Sequence, residues 1–210
     1  MSEDRKVRLE RVYRAKSADD LAESYDDWAA HYDEDLLSYG YRLPAIAAGL
    51  LGRYAPPGSG SVLDAGCGTG LIGEVLSLLG YGGLTGIDLS EGMLAAARAK
   101  AAYSELAQMR LGGPLALPSD HFAATAAIGV LTVGHAGPGA FDELIRVTRP
   151  GAPLVFSLRV DGGAGSDFLE RMAAFARDGA WVEVARTPEF QSIPRAEPEV
   201  HNRVFVTRKT

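Results

Sequence analysis

Cysteine occurs once in the 210 residues, and no apolar run approaches the roughly 20 residues that a membrane-spanning helix requires. A single thiol excludes an internal disulfide framework and suits a reducing compartment, so a cytoplasmic protein without membrane contact is expected. That cysteine and the four histidines form no cluster with metal-ligand spacing, and no metal is expected. The opening Met1-Ser2-Glu3-Asp4-Arg5-Lys6 is charged and leads into no apolar signal core, which argues against export. Basic residues are in deficit as well: 21 Lys and Arg against 27 Asp and Glu give a net charge of −6. This balance argues against a broad phosphate-binding face and against nucleic acid as a partner. The remaining composition, 47% hydrophobic and 23% charged, is that of a chain long enough to bury a proper core as one domain over residues 1–210.

What is present is organised around Val62-Leu63-Asp64-Ala65-Gly66-Cys67-Gly68-Thr69-Gly70. Glycine at every second place weakens helix and strand alike, so the run reads as a short buried strand ending in a tight turn with exposed backbone. Residues 71–79 carry apolar side chains at helical spacing. The turn therefore aims a helix N-terminus, with its unpaired N–H groups, at whatever lies above it. A ligand bearing negative charge or hydroxyl groups is expected there. The glycines do not match G-x-G-x-x-G, because position 71 is Leu, and no Gly-Lys-Ser/Thr ending makes a P-loop, which disfavours a nicotinamide dinucleotide. Leu84-Thr85-Gly86-Ile87-Asp88-Leu89-Ser90 is a second short strand ending in an acid. A carboxylate at Asp88 can accept both ribose hydroxyls of an adenosine.

Strand and helix alternate through most of the chain. A surface helix up to about residue 17 precedes a helix over 17–37, in which Leu21, Tyr25, Trp28, Ala29 and Tyr32 recur at three- and four-residue intervals. Its aromatic stripe either packs on the core or forms a lid over a ligand. Pro44 fits the first turn of a helix running to about Tyr54. Helices are expected over 71–79, 90–103, 140–148 and 166–178. Strands beyond the first two are expected at 108–111, 122–131, 154–160, 181–190 and 200–209. The pattern is α/β: an open, seven-stranded, mainly parallel sheet with helices on both faces and an antiparallel strand near the C-terminus.

Taken together, the glycine loop, Asp88 and the alternating elements resemble the class I S-adenosylmethionine (SAM)-dependent methyltransferases, whose fold is Rossmann-like. The resemblance covers roughly residues 20–210. Tyr25-Asp26-x-Trp28-Ala29-x-x-Tyr32-Asp33 is similar to the N-terminal segment of small-molecule methyltransferases of this class. Ser90-x-x-Met93-Leu94 and Leu144-Ile145-Arg146-Val147-Thr148-Arg149-Pro150-Gly151 resemble their post-strand helix and the segment before their fifth strand. With Gly129-Val130-Leu131-Thr132-Val133-Gly134-His135, the chain is particularly similar to the Williams-Beuren-region methyltransferase-like subgroup.

The resemblance implies a single class I domain whose first 55 residues form a helical lid segment, SAM as cofactor and S-adenosylhomocysteine as product. It places Ala65 and the backbone of Gly66, Gly68 and Gly70 along the methionine and ribose, Asp88 on the ribose, and Leu89 and Met93 beside adenine. Tyr25, Trp28 and Tyr32 would close over the cofactor, with an aromatic face near the sulfonium. Asp64 would orient the glycine loop or the amino group, and Gly129 would line the same site. Many relatives carry an acid for the adenine amino group where this chain has Gly113, followed by Pro114, which lacks an N–H. Adenine recognition then falls to the Leu115 backbone or to Asp120. The fourth strand begins Phe122-Ala123 where relatives begin Phe-Asp, a difference expected to be structural.

His135 is the catalytic candidate, a general base after the central strand. His31 is expected to face solvent, His121 and His201 have no supporting context, and Cys67 is read as a small loop residue. Tyr39, Tyr41, Arg159, Trp181 and Phe190 are candidates for the acceptor pocket. The expected reaction is methyl transfer to an oxygen or nitrogen of a small molecule, with a homodimer left open. A SAM-binding protein with a non-methylating or regulatory role, and a macromolecule methyltransferase, are the rival readings.

Overall fold

The computed structural model describes residues 3–132 and 134–210; Met1, Ser2 and Val133, the last inside the Gly129–His135 motif, lie outside the described residues. At the centre is β1 (Val62–Ala65), buried at every position and parallel to both its neighbours, β2 (Leu84–Asp88) and β4 (Ala124–Ala127). Beyond β2 lies β3 (Glu105–Gln108), and beyond β4 lies β5 (Pro153–Arg159), also parallel. The C-terminal β8 (His201–Lys209) runs antiparallel to β5, to β6 (Trp181–Arg186) and to the two-residue β7 (Phe190–Gln191). The sheet order is β3-β2-β1-β4-β5-β8-β6, with β7 paired to β8 beside this path.

The expected α/β architecture is present, with three local corrections. The strand expected over 181–190 is two, giving eight strands in place of seven: Pro188 has no N–H to donate to a ladder and separates β6 from β7. β3 lies at Glu105–Gln108, ahead of the expected 108–111, because an edge strand exposed along much of its length carries little apolar signal. The long apolar run at 122–131 supplies only four residues of strand; after Ala127 the chain turns through Gly129 at φ +74°.

Side-chain alternation on the strands feeds two cores. Leu63 and Ala65 face the layer made by α6 (Ala140–Val147) and α7 (Ser166–Arg177), where Phe141, Phe156, Phe168 and Trp181 pack at 2% exposure or less. Each such burial contributes roughly 1.5–3 kcal/mol. Val62, Val155 and Val204 face α3 (Leu43–Tyr54) and α4 (Leu71–Leu78). A third, smaller core joins α1 (Glu3–Tyr13) and α2 (Ala18–Tyr39) to Ile193. Within the first 55 residues, therefore, α3 belongs to the sheet's helical layer, and α1 and α2 stand over the ends of the strands. Among the described residues no helix is long and apolar enough to cross a membrane.

Candidate active site

The site begins where β1 ends. Gly66, Gly68 and Gly70 all have positive φ (+77°, +54° and +86°), a region that costs an L side chain strain. The Gly66 and Cys67 N–H groups both donate to Ile87 O, at 2.8 and 3.0 Å, which fastens the turn to the end of β2. A Cβ on Gly66 would lie 2.6 Å from Val130 Cγ2, so this backbone and the loop after β4 can approach so closely only without a side chain there. A Cβ on Gly68 would meet no atom within 4 Å; it would project into open space beside the cavity wall that Gly68 helps form.

Asp88 ties the turn to the next helix. Its Oδ2 accepts from Gly68 N–H at 2.8 Å and its Oδ1 from Ser90 N–H at 2.9 Å. Each oxygen thus keeps a lone pair, and the carboxylate forms part of a cavity wall. Burial raises the Asp88 pKa above the ordinary carboxylate value, against the opposing effect of the backbone N–H groups. Ser90 then caps α5 (Glu91–Ala99), its Oγ accepting from Met93 N–H at 3.0 Å.

α2 closes the site from above. Ser17 caps its start, and Gly40, left-handed at φ +74°, ends it. Asp26 reaches down to α5, accepting from Ser90 Oγ at 2.5 Å and Gly92 N–H at 2.8 Å. Asp33 accepts from Thr69 Oγ1 at 2.5 Å. Tyr25 Oη meets His135 Nε2 at 2.7 Å across the cavity rim. Burial pushes the Tyr25 hydroxyl far up, so it stays protonated. Trp28 stacks on Tyr25 with ring centroids 6.3 Å apart and meets Tyr32 edge-on at 4.9 Å. Its Nε1 donates to Asp35 Oδ2 at 2.8 Å, and Asp35 also takes hydrogen bonds from Arg5 and Arg8 of α1.

Two cavities lie beneath these helices. The first, of about 820 Å³, is lined by Gly66, Gly68, Asp88, Leu89, Met93, Gly129, Tyr25, Tyr32 and His135, together with Met109, Arg110 and Leu111 after β3. The second, of about 780 Å³, shares Tyr25, Tyr32, Gly129 and His135 with the first and extends past Trp28, Tyr41 and Arg159 to the Ser192–Asn202 segment. Tyr41 sits at the junction: a Cβ on Gly129 would lie 2.7 Å from its hydroxyl.

Residues 62–151 match the family described as Methyltransferase domain. The human protein Methyltransferase-like protein 27 is 38% identical over 157 residues, which cover 72% of this chain and 64% of the relative. The chain therefore carries a methyltransferase domain over residues 62–151 and is similar to SAM-dependent methyltransferases. Malonyl-[acyl-carrier protein] O-methyltransferase of Erwinia pyrifoliae is 34% identical over 69% of this chain and 52% of its own length, so the matches span between half and two thirds of these curated relatives. A TehB-like SAM-dependent methyltransferase from Corynebacterium glutamicum has the same fold, with a TM-score of 0.67 at 21% identity over 90% of this chain and 100% of that one.

The first cavity fits the cofactor of this family. Two carboxylate oxygens with spare lone pairs suit a ribose diol, and the bare glycine backbone leaves room for a ligand to lie along the turn. Several residues expected at the methyltransferase site stand outside that cavity's wall. Ala65 is fully buried beneath the turn, and Gly70 is the N-cap of α4, a Cβ there lying 3.0 Å from Tyr103. Trp28 is 2% exposed and lines the second cavity. Asp64 is buried behind the turn, where its Oδ2 accepts from Tyr103 Oη at 2.6 Å and its Oδ1 has no hydrogen-bond partner among the described residues. Burial pushes its pKa up to about 7. Leu115 has its backbone committed elsewhere, the N–H donating to Glu143 Oε2 at 2.7 Å and the carbonyl accepting from Arg146 at 3.0 Å. Asp120 pairs with Lys209.

Among the acceptor candidates, Tyr41 and Arg159 line the second cavity. Trp181 is buried in the sheet core, Phe190 packs beside α3, and the Tyr39 hydroxyl donates to Arg5 O at 2.9 Å. His31 is exposed, as expected. The wall residues Met109, Arg110 and Leu111 carry only the weak apolar signal of the strand expected at 108–111, with nothing to mark them as site residues; they reach the cavity because Met109 N–H donates to Asp88 O at 2.9 Å and draws the β3 exit against β2. Tyr103 fills the space beside Gly73, where a Cβ would lie 2.2 Å from its ring.

Proposed function

We propose that the protein is an active methyltransferase that moves the SAM methyl group to an oxygen or nitrogen of a small-molecule acceptor. The observation that carries this reading is the pair of cavities joined at Tyr25, Tyr32, Gly129 and His135. The first holds the bare glycine backbone and Asp88, and the second is lined by residues of the chain's own α1, α2 and C-terminal segment. The curated relative named malonyl-[acyl-carrier protein] O-methyltransferase supports an oxygen acceptor.

SAM supplies an activated methyl group: the C–S bond breaks with its electron pair going to sulfur while an acceptor lone pair forms the new bond. This chain's residues then have to bind, align and exclude water. Asp88 and the glycine turn position one end, and Tyr25 and Tyr32 cover the point where the cavities meet. Alignment of this kind can supply on the order of 7–11 kcal/mol. An acceptor carboxylate is already ionised at neutral pH, whereas a phenol near pKa 10 needs roughly 4 kcal/mol to lose its proton. For the second kind of acceptor, the base is the Tyr25–His135 pair acting as a relay: Tyr25 Oη takes the acceptor's proton while its own passes to His135 Nε2, 2.7 Å away, leaving a neutral tyrosine and an imidazolium.

The test is to incubate the purified protein with methyl-labelled SAM and a cell extract separated by dialysis. Label should enter compounds of the dialysable fraction, with formation of S-adenosylhomocysteine. Label found only in the retained macromolecules would overturn the small-molecule reading.

A further inference from the structure

The base end of the cofactor cavity has an unusual polarity. Asp88 is the one acidic residue in the cavity wall among the described residues, and its two oxygens are the ribose anchor. With the ribose on Asp88, the purine has to lie between Leu89, Met93, Met109, Arg110 and Leu111. Four of these are apolar. The fifth, Arg110, is exposed, and its side chain makes no ion pair or hydrogen bond among the described residues. A guanidinium donates hydrogen bonds and accepts none.

That polarity matches one purine edge and not the other. Adenine presents a 6-amino group, two donors for which this wall offers no carboxylate or side-chain carbonyl. A 6-oxopurine presents O6 beside N7, the pair of acceptors that arginine engages bidentately in guanine recognition. Leu115 stands outside this wall, with its N–H donated to Glu143, and Pro114 has no N–H. Neither therefore restores selection for the amino group.

We propose that the cofactor site does not select for the 6-amino group and accepts the deaminated, 6-oxopurine form of the cofactor, with Arg110 as the residue that favours it. This rests on the cofactor reading of the first cavity. A bidentate arginine contact to O6 and N7 discriminates by roughly 5- to 150-fold, which sets the scale of the effect.

The experiment is calorimetric binding of S-adenosylhomocysteine and S-inosylhomocysteine to the purified full chain, without any acceptor. The inosyl compound should bind at least as tightly as the adenosyl one. Arg110→Ala should weaken the inosyl compound by at least about fivefold and the adenosyl compound by less. Gly113→Asp supplies the missing carboxylate at a position where a Cβ meets no atom within 4 Å. It should swing the preference toward the adenosyl compound by about tenfold or more, the worth of one added charge-assisted hydrogen bond. Wild-type preference for the adenosyl compound by about tenfold or more, or an Arg110→Ala effect equal on both ligands, overturns the proposal. Failure of both ligands to bind the wild-type protein overturns instead the cofactor reading beneath it. Circular dichroism separates either result from misfolding of a variant.

Discussion

Replacing Asp64 with asparagine is the sharpest probe of how the glycine turn is supported. Asp64 is 1% exposed, and among the described residues one of its oxygens lacks a hydrogen-bond partner and its single side-chain partner is the Tyr103 hydroxyl. Burial lifts its pKa from the ordinary 3.8 to about 7. The folded protein therefore holds a proton here through a pH range in which the unfolded chain has released it. The sign follows: this group leaves the fold undisturbed below pH 3.8 and becomes progressively destabilising as pH rises toward about 7, with the full penalty above that. At about 1.36 kcal/mol per pH unit, the interval corresponds to about 4 kcal/mol. The Asp64→Asn side chain would be neutral throughout, so the variant should gain on the wild type by several kcal/mol between acid and mildly alkaline pH. For a domain of this size, that is a relative gain in Tm of roughly 10 °C. Thermal melts of both proteins in a pH series measure the gap, and any contribution from other groups common to both cancels. Parallel curves, with a constant gap across the range, would refute the assignment of a buried, proton-holding carboxyl.

Asp88→Ala removes the proposed acceptor for two ribose hydroxyls; at about 1.5–3 kcal/mol for each bond to a charged group, calorimetry should show S-adenosylhomocysteine binding weakened by more than about 100-fold. The released Gly68 N–H borders the cavity and can be hydrated, whereas Ser90 is fully buried and its unpaired N–H should cost about 1–3 kcal/mol, a fall in Tm of roughly 2–10 °C; an unchanged affinity removes Asp88 from the ribose. Asp35→Ala leaves Arg5, Arg8 and the buried Trp28 Nε1 without their shared acceptor and should cost about 3–5 kcal/mol in urea unfolding. A loss under about 1 kcal/mol would mean that α1 is not held to α2 through this cluster.

Much of the architecture was legible because it rests on local periodicity. The alternating glycines can only be a turn, the acid ending Leu84–Asp88 marks the next strand terminus, and the aromatic spacing from Leu21 to Tyr32 is that of a helix. Where periodicity was weak, the boundaries moved. β3 is a mostly exposed edge with little hydrophobic pattern, and the central apolar run at 122–131 says nothing about where Gly129 turns it. The site residues divide in the same way. Asp88, Gly66 and Gly68 announce themselves by position, whereas Met109 and Arg110 reach the cavity through a strand exit that no spacing encodes.

Asp64 shows the difference most clearly. Its place at the end of β1 follows from the order of residues, because a strand entering a glycine turn is a local event. Which way its carboxylate faces, and that Tyr103 rather than a ligand meets it, depends on a contact between residues 39 positions apart, made possible by the missing side chain at Gly73. The same holds for the Tyr25–His135 pair, 110 positions apart. Local sequence sets backbone direction and burial period through steric and hydrophobic preferences; which polar groups then share a proton or face a cavity is decided when distant elements pack.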